Sequence, residues 1–405
     1  MWGLSLQHEL PSHMGLEVDY IGRYGSDLFG GYNANAYQIF RNGFLQAFQA
    51  LQAGKDSPLI NKLLANYPGL SSGQTPSQFI KDNFTSELGR NSIGDIASFV
   101  NLATDLAGNQ LIADNGFGPY FFNSFPQFAS EVDTLDTHDW SHYEALQAQL
   151  QKHFRNGLQF QASYTFSKSL DTRSYDPIFT TVPTFGAYQT GTSVPWDVAH
   201  RDWNYAPSDF DRRHAFQGDW VWELPLGRGK TWLHDINSTL NRAVGGWSLS
   251  GIFTLQSGRP FTVFSGAYTY SDSQMTPASC NGCTPGMGHL NWQGGAPYAP
   301  GAALYYFTAD QQSQFYQPPA GQMANLGRNF FRLPHNFNID AALGKKFQVT
   351  ERQDLQLRLE VQNLTNSVIY DLPYSSRITS GMFGYMEGQT FNHARRMQVS
   401  AKYTF

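Results

Sequence analysis

Apolar and polar residues alternate with a period of two along much of this chain, which restricts those stretches to extended strands with two chemically different faces. Leu158, Phe160, Ala162, Tyr164 and Phe166 occupy one parity, and Gln159, Gln161, Ser163, Thr165 and Ser167 the other. Leu355, Leu357, Leu359 and Val361 oppose Asp354, Gln356, Arg358, Glu360 and Gln362 in the same way. The C-terminus repeats it, with Met397, Val399, Ala401, Tyr403 and Phe405 against Gln398, Ser400, Lys402 and Thr404. Weaker runs begin near Trp2, Leu16, Leu146, Phe216, Trp247 and Phe337. Together they predict about nine strands, each roughly the 9–11 residues that cross a bilayer or somewhat longer.

Composition indicates which solvent the apolar faces meet. Charged residues make up 15% of the 405, against about 25% in soluble domains. Aromatics also reach 15%, with 31 Phe, 21 Tyr and 9 Trp, yet the mean hydropathy is −0.41. Many rings, few charges and a polar mean suit strands with one greasy and one wet face. A membrane helix needs about 20 consecutive apolar residues, and no such run occurs. The net charge of −5 carries no footprint for nucleic acid. Met1 is followed by Trp2-Gly3-Leu4-Ser5-Leu6, which alternates like a strand and lacks the basic and apolar regions of a secretion signal. For an exported chain this suggests a fragment.

A soluble β-sandwich would alternate equally well, so the connections decide. Working back from Phe405, they alternate between short and long. Thr350-Glu351-Arg352, Arg155-Asn156-Gly157 and 11–15 are short; 366–392, 171–211 and 27–139 are long. The 226–245 connection is intermediate and contains Thr231-Trp232-Leu233-His234, a candidate short helix on the short-turn side. Short periplasmic turns opposite long outer loops are the pattern of outer-membrane barrels, and a sandwich has no reason to gather its long loops at one end. Phe154, Trp222, Trp247, Phe347 and Phe405 fall at the short-turn ends of strands, where rings favour the headgroup zone. The expected fold is therefore all-β, an antiparallel transmembrane outer-membrane β-barrel. It is partial, with about nine strands, and carries long, partly helical extracellular loops. Its apolar parities are expected to face outer-membrane lipid and its polar parities the lumen or a plug.

Within the 27–139 insertion, Tyr37, Phe40, Phe44, Phe48 and Leu51 recur at helical spacing, as do Ile93, Ile96, Val100 and, less regularly, Leu106. This predicts a compact, partly helical cap. The 266–334 stretch is rich in Gly, Pro, Gln and Tyr and reads as extended loop with little regular structure.

Motifs that carry chemistry are sparse. Gly227-Arg228-Gly229-Lys230-Thr231 ends like a phosphate-binding loop, but Leu224 stands where the first glycine belongs and Pro225 removes an N–H, so it reads as a turn. Cys280-Asn281-Gly282-Cys283 has no βαβ context for redox work, and His289 is the sole nearby candidate for completing a zinc set. Compartment grounds favour a small loop-stapling disulfide over free thiols. His138 and His142, near Glu131, Asp133, Asp136 and Asp139, have the residue types for Zn or Fe but a spacing that also fits a solvated rim. No catalytic, cofactor-binding, metal or substrate-binding residue is assigned, and an enzyme is not expected.

Several segments resemble TonB-dependent transporters of the Oar-like group. They include Trp2-Gly3-Leu4-Ser5-Leu6-Gln7 with Val18-Asp19-Tyr20-Ile21-Gly22, Tyr143-Glu144-Ala145-Leu146-Gln147, and the run from Gly157 to Ser169. Asp209-Phe210-Asp211-Arg212-Arg213-His214, Glu223-Leu224-Pro225-Leu226-Gly227, Gly246-Trp247, Asn325-Leu326-Gly327-Arg328-Asn329 and Glu360-Val361-Gln362-Asn363-Leu364-Thr365-Asn366 continue it in order. The resemblance covers most of the chain outside the long loops. It implies the C-terminal portion of a barrel of about 22 strands closed around a plug, with uptake driven by the TonB complex. The plug, N-terminal domain and TonB-contacting segment are absent from residues 1–405. The terminal strand ending in Phe405 resembles the signal read by the barrel-assembly machinery. Two functions fit these features. One is uptake of a nutrient or metal chelate across the outer membrane. The other is a non-transporting surface or adhesion protein that binds a partner through its long loops.

Overall fold

The computed structural model describes residues 1–105, 110–118, 121–128, 132–174, 195–350, 352–386, 390 and 392–405. Its frame is one antiparallel meander. Its long strands are β1 (Trp2–Leu10), β2 (Met14–Asn33), β3 (Asp133–Arg155), β4 (Leu158–Asp171), β5 (His214–Glu223), β6 (Trp247–Gln256), β7 (Asn336–Gln348), β8 (Asp354–Gln362) and β9 (Arg396–Thr404). Each pairs with its sequence neighbours, in the order β1 to β9, and a short Ala206–Pro207 strand adds to β4.

The register keeps the two parities on separate faces across the sheet. Leu4 pairs with Tyr20, Tyr20 with Leu146 and Leu146 with Phe166 on one face. On the other, Gln161 pairs with Asp219, and Asp340 lies opposite the same Ile252 that faces Asp219. A one-residue slip would exchange the faces, so the pattern itself holds the register. Leu4, Leu146, Phe166, Leu359 and Val399 are exposed on the apolar face. The polar face lines a trough of about 590 Å³ that includes Gln217, Asp219, Asp340, Arg358 and Glu360. Among the described residues β1 and β9 each pair on one side only, so the sheet does not close.

At one end the strands are joined by 11–13, 156–157, 224–246 and 349–353. Asn156 and Gly157 adopt φ of 55° and 77°, the left-handed conformations of a two-residue hairpin turn. A Cβ on Gly157 would also lie 2.9 Å from the Glu223 carbonyl, so glycine is required twice over. At the opposite end run the connections 34–132, 172–213, 257–335 and 363–395.

The β2–β3 ladder reaches further than the alternation indicates. Patterning ends β2 at Asp27, yet pairing continues through Gly31↔Leu135 and Tyr32↔Thr134 to Asn33↔Asp133. Asp27 has φ 56°, and the register shifts between Gly25 and Leu28 and again before Gly30. These are β-bulges, which change the parity and add twist without ending the strand. The long β2–β3 excursion thus begins after Asn33 and ends before Asp133.

That excursion carries α1 (Phe44–Gln52), α2 (Pro58–Leu63), α3 (Pro76–Asn83), α4 (Thr85–Gly89), α5 (Ile93–Asp105) and α6 (Gln110–Asp114). Ser57 and Thr75 cap α2 and α3 by accepting from the N–H groups of Ile60 and Gln78, with Pro58 and Pro76 in the first turns. Phe44, Phe48, Ile60, Leu63, Ile93, Ile96, Val100 and Phe122 bury completely or nearly so in one core. Tyr37 and Phe40 precede α1 rather than extending it, because Gly43 at φ 78° sets the helix start. Leu106 lies outside the described residues.

The 266–334 stretch is more ordered than its Gly and Pro content predicts. It forms short ladders, Ser279–Cys280 with Phe315–Tyr316 and Asn291–Gln293 with Ala303–Tyr305, and the helix α8 (Ala309–Gln312), closed by a Thr308–Gln311 capping box. α7 (Ser238–Val244) lies in the 224–246 connection. The loop order comes from a second aromatic core. Phe307 meets Phe315, Phe331 and Phe383 at centroid distances of 5.1, 5.0 and 5.5 Å, and edge-to-face rings specify geometry as well as bury area.

Candidate functional site

The loop end is joined to the sheet by buried ion pairs. Asp139 sits near the outer part of β3, and Asp171 closes β4. Arg328 comes from the β6–β7 excursion and is fully enclosed. Its guanidinium donates to the Asn204 carbonyl at 3.0 Å, to Ser174 Oγ at 3.1 Å and to both the carboxylate and the carbonyl of Asp171. Asn329, next to it, donates to the Pro207 carbonyl and to Asp209 Oδ1 at 2.7 and 2.6 Å. Arg332 pairs with Asp211, and Arg259 with Asp371. On β3, Arg173 Nε reaches Asp139 Oδ2 at 2.9 Å, and Arg201 pairs with Asp136 while covering the Tyr32 ring at 5.1 Å. Burial lowers the Arg173 guanidinium pKa from its ordinary value, a shift opposed by the Asp139 charge. These fork-to-carboxylate contacts fix three separate excursions to one rim.

A cleft of about 870 Å³ opens beside this rim, between the helical body and the 257–335 excursion. Trp196, buried, forms part of its wall and donates Nε1–H to the Met275 carbonyl at 3.1 Å. Phe40 lies 5.0 Å from the Tyr270 ring, and Tyr270 lies 5.3 Å from Trp203, which stacks on His200. Tyr270 donates its hydroxyl to Asp197 Oδ2 at 2.8 Å. Burial, then the Asp197 contact, raises the Tyr270 phenol well above its ordinary pKa, so it stays a hydrogen-bond donor at neutral pH. Phe40 and Phe125 expose their rings, and Arg41 presents an exposed guanidinium. Gln38 and Ser124 supply neutral polar groups, bonded to each other at 2.8 Å. Apolar faces with a few placed polar groups are what a small-molecule site requires.

The residues singled out by sequence lie elsewhere. Cys280 and Cys283 are disulfide-bonded in the second aromatic core. His138 contacts Asp136 at 3.2 Å and His142 contacts Glu144 at 3.3 Å, while the His142 ring sits between Trp2 and Tyr24. Among the described residues no three His, Cys, Asp or Glu side chains converge as metal ligands, and Glu131 is outside them. Gly227 to Thr231 is a turn, held by the Gly227 N–H on the Trp232 carbonyl. The cleft residues Trp196, Asp197 and Tyr270 carry no periodic signal. Their one visible mark is aromatic and charged content inside long connections.

The apolar sheet face thus carries many exposed side chains, Leu4, Leu146, Phe166, Leu359 and Val399 among them, while the two buried hydrophobic clusters belong to the loops. A soluble fold would bury that face; a lipid-facing one leaves it bare of protein. Residues 1–398 match the family model described as outer membrane beta barrel domain. The chain belongs to that family. It is located in the bacterial outer membrane. The structure is also similar to that of the outer membrane transporter YddB from Escherichia coli, at 7% identity and a TM-score of 0.37. That alignment covers 99% of this chain and 32% of the transporter. Comparison with curated protein sequences finds no match.

Proposed function

We propose that this outer-membrane chain is the C-terminal barrel portion of a TonB-dependent transporter of the Oar-like group, and that it takes up a nutrient or metal chelate. The observation that carries the reading is the placement of the aromatic cleft. It opens at the loop end, on the extracellular side by the rule of short periplasmic turns, and it is braced to the strand ends by buried ion pairs. A rigid mouth above a polar inner face suits capture followed by passage along that face. Among the described residues β1 and β9 each have an unpaired edge, which is costly in lipid; on this reading further strands close the barrel around a plug that the TonB complex acts upon. On this reading the protein performs no chemistry on its ligand.

The test is uptake and binding in cells carrying the full-length parent. Substituting Phe40→Ala together with Tyr270→Ala should abolish high-affinity capture and uptake while the assembled amount in the outer membrane stays unchanged. Undiminished uptake would remove recognition from the cleft. Ligand binding that never leads to TonB-dependent accumulation would favour the surface-binding protein instead.

A further inference from the structure

The 224–246 connection lies at the short-turn end of the sheet. Its helix α7 ends on the lipid-facing side of the sheet. Two side chains of the apolar parity hold it there. Lys345 of β7 donates to the carbonyls of Ala243 and Gly245, and Trp247 of β6 donates Nε1–H to the Ala243 carbonyl at 3.0 Å. Lys345 and Trp247 are register partners, and Lys345 also lies over the rings of Trp247 and Phe347 at 5.1 and 5.0 Å. An ammonium on the last carbonyls of a helix is a favourable C-terminal contact. The helix itself is not packed: none of its 7 residues is buried.

What the connection exposes is amphipathic. Trp232, Leu233 and Leu240 are each more than half exposed. Arg228, Lys230 and Arg242 are exposed as well, and no ion pair engages them among the described residues. Within 224–246 the acidic side chain is Asp235, which contacts His234 at 2.8 Å. Three cations against one anion give the connection a net positive charge, and its helix end meets Trp247, whose partner Lys345 also lies over the Phe347 ring.

We propose that this connection is a membrane foot that rests on the periplasmic leaflet, inserting Trp232, Leu233 and Leu240 among the acyl chains and binding anionic phospholipid headgroups through Arg228, Lys230 and Arg242. Apolar side chains beside basic ones are the composition of an interfacial segment, and cations near the surface draw acidic lipid to it. The arginine forks suit phosphate oxygens. The position at the short-turn end selects the inner, phospholipid leaflet.

The experiment places an environment-sensitive fluorophore at Leu240→Cys in the full-length protein, reconstituted into vesicles of phosphatidylcholine alone or with phosphatidylglycerol. The native cysteines are disulfide-bonded and do not react. The label should emit to the blue of the same label at Thr350→Cys on the neighbouring inner turn, and brominated lipid should quench it. Phosphatidylglycerol should deepen both effects, and Arg228→Glu, Lys230→Glu and Arg242→Glu combined should remove that dependence. A label quenched by aqueous iodide as fully as the Thr350 control would overturn the proposal. So would equal behaviour in both lipids. Protection from both quenchers would also overturn it, since it marks a protein occupant.

Discussion

Arg328 and Asp171 stand 157 residues apart in sequence and form an ion pair from which solvent is excluded on both sides. The pair ties the β6–β7 excursion to the end of β4. Arg328 also bonds the Ser174 hydroxyl and the Asn204 carbonyl, so its donors are occupied within one enclosed network. Removing one partner strands a buried charge, which costs about 3–5 kcal/mol, more than the intact pair contributes. Arg328→Met should therefore lower the thermal unfolding temperature of the assembled protein, read by heat-modified mobility in gels. Arg328→Met with Asp171→Leu should recover part of the loss. A double variant no better than the single one would mean that the hydrogen bonds to Ser174 and Asn204 dominate.

The two faces of β8 should respond oppositely to charge. Leu359 pairs with Leu343 and Val399 on the apolar face, whereas Gln356 pairs with Lys346 and Lys402 on the polar one. Leu359→Arg should destabilise folding into vesicles by roughly 2–4 kcal/mol, the cost of a cation facing the bilayer midplane. Gln356→Glu, which adds charge beside two lysines, should be nearly neutral. Denaturant titration of both variants in lipid measures the difference. Equal costs would contradict lipid exposure of the apolar parity.

Alkaline pH should loosen the loop bodies before the strands. Tyr306 is buried in the second aromatic core and donates to the Arg332 carbonyl, and burial raises its phenol well above the ordinary 10.0. A raised folded-state value means that the folded form keeps its proton when the unfolded form has lost it. The stability from this group is full below about pH 10. It declines as pH rises from there through the folded-state value. Protease cutting within 257–335 should accelerate above that threshold while the strands stay intact. Tyr306→Phe should flatten the dependence, at the loss of one hydrogen bond, about 1 kcal/mol.

Phe405 is almost fully exposed, 6.2 Å from the Tyr403 ring, just beyond β9, which has one unpaired edge among the described residues. An open edge can add to another sheet while alternate side chains enter pockets. Deleting Phe405 from the full-length parent should reduce the amount assembled in the outer membrane far more than Phe405→Trp, measured by surface protease accessibility. Assembly unaffected by the deletion would leave the ring an interfacial anchor alone.

The two faces of the strands and the short-against-long order of the connections were legible in sequence, because the faces rest on local periodicity and the connections are what lies between the periodic runs. Side chains two apart share a face whatever lies elsewhere, and Asn156-Gly157 encodes its turn in its own backbone preferences. Bulges at Asp27 already exceed that logic, since an extra residue breaks the parity without breaking the ladder. The 266–334 stretch exceeds it further. Its order depends on Phe307 meeting Phe331 and Phe383, contacts that no window of consecutive residues contains. The cleft, the rim ion pairs and the helix held outside the sheet by Lys345 belong to the same class. Sequence by itself determined a two-faced, lipid-exposed strand meander. Tertiary structure alone decided which residues line its mouth, because buried charge pairing and ring packing join positions that loop closure brings together from distant parts of the chain.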